Sequence, residues 1–241
     1  MSRFDLALLE KSRNTKRIII ILSTSILFLV ASLFILNKFI FKNDFFHKKN
    51  NGVLVSDSTS LKPVLYLYPK KETKVTVTFE NPDKLIFTYP NYKDKWKLTA
   101  KPKGDLVDTD KNSYYALYWE ENLNNNVDFK KGYYVTSKEA KQFLEDKLKY
   151  IGLNDKERNE FIISWLPVLI KNEKSIVYFE LTEERNVDNK INISPKPDSI
   201  LRVSMHVKKV DGKPDNFEQQ KVSHFNRKGF SVIECSGILH A

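Results

Sequence analysis

Cysteine is nearly absent from this chain. Cys235 stands alone among 241 residues, which excludes an intramolecular disulfide framework and any cysteine-based metal cluster. Histidine is scarce as well. Of the four, His47 and His240 lie in peripheral segments, and neither His206 nor His224 has a second ligand nearby at a zinc-like spacing. There is no GxSxG elbow, no Walker loop and no GxGxxG, so serine-hydrolase, kinase and dinucleotide chemistry have no support. No internal repeat is present, and the sequence implies no cofactor and no metal ligand set.

An excess of one charge sign is also missing where it would matter most. The net charge is +10, but residues 1–49 hold nine basic and three acidic residues, leaving 31 basic against 27 acidic for the rest. The surplus therefore lies near the N-terminus, where Lys and Arg flank a hydrophobic run and suit anionic headgroups. The remainder is mixed in sign, as a solvated surface usually is, which argues against a nucleic-acid partner.

That hydrophobic run is the clearest feature present. Residues 18–36 read IIIILSTSILFLVASLFIL, nineteen residues without a charge. As a helix rising about 1.5 Å per residue they span about 28 Å, close to the roughly 30 Å of a bilayer core. A helix pairs every backbone polar group within the segment, as lipid requires. A signal peptide has an apolar core of roughly 7–15 residues ending at small side chains; here the run continues through Leu36, past Ala31 and Ser32, so an uncleaved anchor is expected. Five basic residues precede it (Arg3, Lys11, Arg13, Lys16, Arg17) and four follow it before residue 50. The balance and the short N-terminus favour an N-terminus inside the cell and a body outside it.

The expected organisation is a short basic N-terminus (1–17), a transmembrane helix (18–36), a polar linker (37–61) and a globular domain (62–241). The domain opens with strand-like runs at 62–69, 73–79, 84–90, 95–102, 105–108 and 113–120, each rich in β-branched and aromatic residues. In the second run Val75, Val77 and Phe79 share one face. The period then changes. Thr136 with Glu139, and Asn154 with Glu157, read as capping boxes that open two helices. Gly152 is placed to end the first and Pro167 to end or kink the second. Strand-like runs return at 175–181, 190–194, 199–210 and 229–236. Strands on both sides of a helical hairpin, with few connections suited to parallel crossovers, predict an α+β domain built on antiparallel sheet, as a sandwich or one curved sheet.

The runs KPVLYLYP, YPNY, WKLTAKPKGDL, SYYALYWE, SWLP, ISPKPDSILRV and RKGFSVIECSG together resemble an uncharacterised family of membrane-anchored or exported β-rich proteins. The resemblance covers nearly all of 62–237. It implies an N-terminal signal or anchor and carries no activity, catalytic residue or ligand.

Four residues are singled out as candidates for binding a ligand: Trp119, Glu120, Glu180 and Glu234. The three carboxylates fall on aromatic or apolar strand faces, where a charge is costly to bury unless paired or wet. Two such groups across a cleft, Glu120 and Glu234, could serve as acid and base on a glycosidic bond. The plainer expectation is that these glutamates pair with Arg202, Arg227 or lysines. Tyr66, Tyr68, Tyr114, Tyr115, Tyr118 and Trp119 read as core and cross-strand packing before a ligand platform, and Arg202, Ser204 and His206 as a polar outer face. The expected function is a non-enzymatic, membrane-anchored envelope protein. Its partners would be the bilayer, through 18–36, and an envelope polymer or surface protein. The alternative is an anchored hydrolase of envelope glycan or peptide.

Overall fold

The computed structural model describes residues 59–122 and 127–240; the expected anchor and most of the linker lie outside them. Among the described residues no helix is long and apolar enough to cross a membrane. Apart from a 3-10 turn at Pro82–Lys84, the regular elements of the first half are strands: β1 (Thr59–Tyr68), β2 (Thr73–Phe79), β3 (Leu85–Tyr89), β4 (Trp96–Ala100), β5 (Leu106–Asp108), β6 (Ser113–Tyr114), β7 (Leu117–Asn122) and β8 (Lys131–Thr136). Two helices follow, α1 (Ala140–Ile151) and α2 (Asp155–Asn172). The second half holds β9 (Lys174–Leu181), α3 (Thr182–Asp188), β10 (Ile191–Ser194), β11 (Ser199–Lys209), β12 (Glu218–Gln219) and β13 (Ser231–His240).

These form an α+β domain with two sheets. The larger has the order β12-β8-β9-β11-β13-β1-β7-β3 and the smaller β10-β2-β4-β5-β6. Alternation explains how they stack. Val75, Val77 and Phe79 of β2 and Trp96, Leu98 and Ala100 of β4 are buried, facing Leu65, Leu67, Leu117, Trp119 and Val232 of the large sheet. The opposite face of the large sheet packs under the helices. Ala140, Leu144, Leu148 and Ile151 make the stripe of α1, and Phe161, Trp165 and Leu169 that of α2. The middle strands are thus covered on both sides, and a strand covered on both sides carries near-continuous apolar runs. Residues 231–238 of β13 are all buried. Each fully buried Leu or Val contributes about 1.5–3 kcal/mol.

The Asn154–Glu157 capping box forms as expected. Asn154 Oδ1 accepts from the Glu157 amide at 3.0 Å, and Glu157 Oε2 accepts from the Asn154 amide at 2.8 Å. Gly152, at φ 120°, closes α1. Two expectations about the helices need correction. Thr136 does not cap α1: β8 runs to Thr136, paired with Lys174 of β9, and the helix starts at Ala140. The two side chains still bond, Thr136 Oγ1 donating to Glu139 Oε2 at 2.7 Å, within a strand-to-helix turn. Pro167 neither ends α2 nor marks its boundary, since the helix continues to Asn172. The carbonyl that loses its donor belongs to Ile163, whose side chain is 73% exposed, so this turn faces solvent and water can take up the bond. The sheets are mainly antiparallel, as expected, with a long parallel exception: β11 and β13, eleven and ten residues long, run parallel from Ser199↔Ser231 to Lys208↔His240.

The run 113–120 is not one strand. It breaks at Tyr115–Ala116, with β6 in the small sheet beside β5 and β7 in the large sheet beside β1. The chain changes sheets at this point and leaves Tyr115 51% exposed.

Candidate functional site

Two places gather polar chemistry, one on each face of the large sheet. On the face toward the small sheet, four charges lie without contact with solvent. Arg185 of α3, Glu121 of β7 and Glu234 of β13 are fully buried, and Arg202 of β11 is 3% exposed at its side chain. Arg185 Nη2 donates to Glu121 Oε1 at 2.5 Å and approaches Glu234 Oε1 at 3.4 Å. Arg202 Nε donates to Glu234 Oε2. Its Nη1 donates to Asn186 Oδ1 at 3.0 Å and to the carbonyl oxygen of Asn189 at 2.8 Å, holding the C-terminal end of α3. Asn189 Nδ2 completes the set on Glu121 Oε2 at 2.7 Å. Burial alone would raise the Glu234 carboxyl, but Arg202 and Arg185 beside it hold it below its ordinary value. The result is a balanced pair of ion pairs, fastened by α3.

Further along the same face, Glu180 Oε2 stands 3.4 Å from His206 Nε2, and His206 Nδ1 lies 2.9 Å from His240 Nε2. Burial, then His206 and Lys208, pull the His240 imidazole down to about 4, so it is neutral at physiological pH. Arg202, Ser204 and His206 share this face as alternation requires, but it is not an outer face: all three are at most 2% exposed. Among the described residues, no group of three or more His, Cys, Asp or Glu side chains is placed to hold a metal ion.

The other face carries a groove of about 610 Å³ in which half of the lining residues are aromatic. One wall is α2, where Glu157, Glu160, Phe161, Ser164 and Trp165 recur at the helical period and form one stripe. The floor is Tyr66 of β1 and Tyr118 of β7. The far wall combines Phe87 and Tyr89 of β3 with Tyr114 and Tyr115 at the crossing between sheets. Eight aromatic residues line it, five of them tyrosines. They brace one another: Phe87 meets Tyr118 edge-on at 5.8 Å, and Tyr89 meets Tyr114 at 5.6 Å between centroids. Trp165 lies directly over Gly237 of β13, where a Cβ would come within 2.1 Å of the indole. Only glycine there lets α2 sit this close. Burial drives the Tyr66 hydroxyl well above its ordinary range, with Cys235 and Glu160 adding to the effect, so it remains a neutral donor.

Acidic groups dominate what charge there is. No Lys, Arg or His is among the described residues lining the groove. Glu157 is committed to its capping box and to Arg227, whose Nη1 donates to Glu157 Oε1 at 3.0 Å. Glu160 is exposed and has no ion pair or side-chain hydrogen bond among the described residues.

None of the four candidate residues lines this groove. Trp119 is fully buried between the sheets, edge-on to Phe79 at 5.1 Å. Glu234 is locked in the ion pairs, and Glu180, at 12% side-chain exposure, faces His206. Glu120 comes nearest, accepting from the Tyr118 hydroxyl at 2.5 Å. Register places Glu120 on the face of Tyr118, Val64 and Cys235, and Glu234 on the face of Leu65 and Leu117. Glu120 and Glu234 therefore lie on opposite sides of the sheet and share no cleft. The sequence signal for the groove was the helical stripe 157–165, half apolar and half polar, together with tyrosines that alternation sends to the same side. Comparison with protein-family models, with curated proteins and with solved structures finds no match to this chain.

Proposed function

We propose that this protein is a single-pass membrane protein whose α+β domain stands outside the cytoplasm and holds an envelope glycan in the tyrosine groove without cleaving it. The observation that carries the reading is the groove itself. Flat ring faces suit the C–H faces of sugar rings, and the tyrosine and serine hydroxyls and the Glu160 carboxylate match a hydroxyl-rich ligand. The apolar run at 18–36 supplies the anchor. Hydrolysis is the weaker reading, because glycoside cleavage uses two carboxyls flanking the bond. Here Glu157 is tied to Arg227 and Glu234 lies across the sheet from Glu120.

The test is a binding titration of the full-length protein in detergent against purified envelope glycans, with Tyr115→Ala as the comparison. Saturable binding that weakens about tenfold in the variant supports the reading. Binding unaffected by Tyr115→Ala, or release of reducing sugar on incubation, would refute it. The location has its own test, protease treatment of intact and lysed protoplasts carrying a C-terminally tagged chain. Digestion before lysis supports an external domain; protection until lysis places it inside and overturns the proposal.

A further inference from the structure

The geometry points to selection of a glycan that carries protonated amines, with Glu160 as counter-ion and the exposed face of Tyr115 as the seat of the ammonium group. This rests on the glycan reading above and adds the chemical class of the sugar.

Three observations converge. First, both charged residues of the lining are carboxylates, Glu157 and Glu160, with Arg227 paired to Glu157 and Lys156 standing over the tyrosine rings. Second, the carboxylate left over after Glu157 pairs with Arg227 is Glu160, which sits near both ring systems. Its charge is felt at the hydroxyls of Tyr66 and Tyr115 alike. Third, a cation already occupies the rings. Lys156, one turn before Glu160 on α2, places its Nζ 4.8 Å from the centre of Tyr115 and 5.9 Å from that of Tyr66. An ammonium group over a tyrosine face within about 6 Å is held by the ring quadrupole.

Lys156 is exposed and makes no ion pair with Glu160 among the described residues. Lysine placed four residues before glutamate is also the weaker order for a helical pair. Its ammonium is therefore displaceable, and it marks where a ligand's ammonium would rest. A Lys-rich peptide shares the charge, but the groove is lined by eight aromatic residues, whose ring faces match a pyranose better than an extended backbone.

The experiment compares glucosamine oligomers (chitosan oligosaccharide) with the same oligomers fully N-acetylated (chitin oligosaccharide). Both are titrated into the full-length protein in detergent at mildly acidic pH, where the amines are protonated, and followed by calorimetry. The amine form should bind about tenfold tighter, the size of one partly desolvated cation–π and ion-pair contact. E160Q should bring the two affinities together, and K156M, which removes the competing cation, should widen their difference. Equal binding of both oligomers overturns the amine selection and leaves the glycan reading standing. Binding of neither overturns both. Oligolysine binding as tightly as the glucosamine oligomer overturns the sugar and makes the occupant a basic peptide.

Discussion

Replacing Glu234 by Gln removes one charge and almost no volume, so its effect isolates the electrostatics of the sealed layer. The four buried groups are two arginines and two glutamates, at 0–3% side-chain exposure. The variant leaves that set with a net positive charge and turns one of the two acceptor oxygens into an NH2 donor facing an arginine. Breaking one partner out of a buried pair costs about 3–5 kcal/mol, a large share of the about 5–15 kcal/mol that holds a domain together. With a urea dependence of about 2 kcal/mol per molar, the midpoint should fall by about 2 M. The assay is urea unfolding of the full-length protein in detergent, followed by fluorescence of the buried Trp96, Trp119 and Trp165. Glu120→Gln is the control, on the opposite face and half-buried beside Tyr118, and should cost under about 1 kcal/mol. Equal midpoints for the two variants would refute the claim that the layer is dry. The pH dependence has a definite sign. A carboxyl held below its ordinary value stabilises the fold above the unfolded value near 4.5, and that contribution is lost as pH falls through the folded value. The wild type should therefore lose stability below about pH 4.5 more steeply than the variant does.

Asn154→Ala removes the cap of α2 and should cost about 1 kcal/mol, read as a lower thermal midpoint; an unchanged midpoint would mean that Glu157 and Arg227 alone fix the helix start. His240 titrates at about 4 when folded and near 6.5 when unfolded, so the unfolded chain takes up the proton first and stability falls as pH drops from 6.5 to 4. The full difference would be worth about 3 kcal/mol, and solvent screening of a half-buried imidazole reduces that to about 1–2 kcal/mol. His240→Gln should flatten the stability profile in that window, and an unchanged slope would assign it to another group. The fragment from Lys62 onward, made without residues 1–61, should be soluble and unfold cooperatively; an insoluble or molten fragment would contradict an independent domain.

Local features were legible in the sequence and long-range ones were not. Alternation in β2 identified Val75, Val77 and Phe79 as an inward face, and the Asn154–Glu157 spacing marked the start of α2, because both depend only on neighbours along the chain. The pairing of Glu234 with Arg202 was foreseeable in kind, since a buried carboxylate needs a cation. The partner Arg185 was not, because it comes from a seven-residue helix without a strong apolar stripe. The groove is built from residues near 66, 87–89, 113–118, 157–165 and 235. Its aromatics had the spacing of core packing, and Tyr66 and Trp165 are indeed nearly buried. What converts packing into a groove is the change of sheet at Tyr115–Ala116, and only the pairing of β6 and β7 with different partners reveals it.

The place of β13 bears on how the domain is completed as it is made. This last strand lies in the middle of the large sheet, between β1, the first, and β11. Until it arrives, β1–β7–β3 on one side and β9–β11 on the other have no common neighbour, and Glu234 has not yet met either arginine. A chain that emerges N-terminus first must keep two part-sheets with open inner edges apart from other chains. Loss of β13 would not shorten the fold at its margin but divide it through the centre.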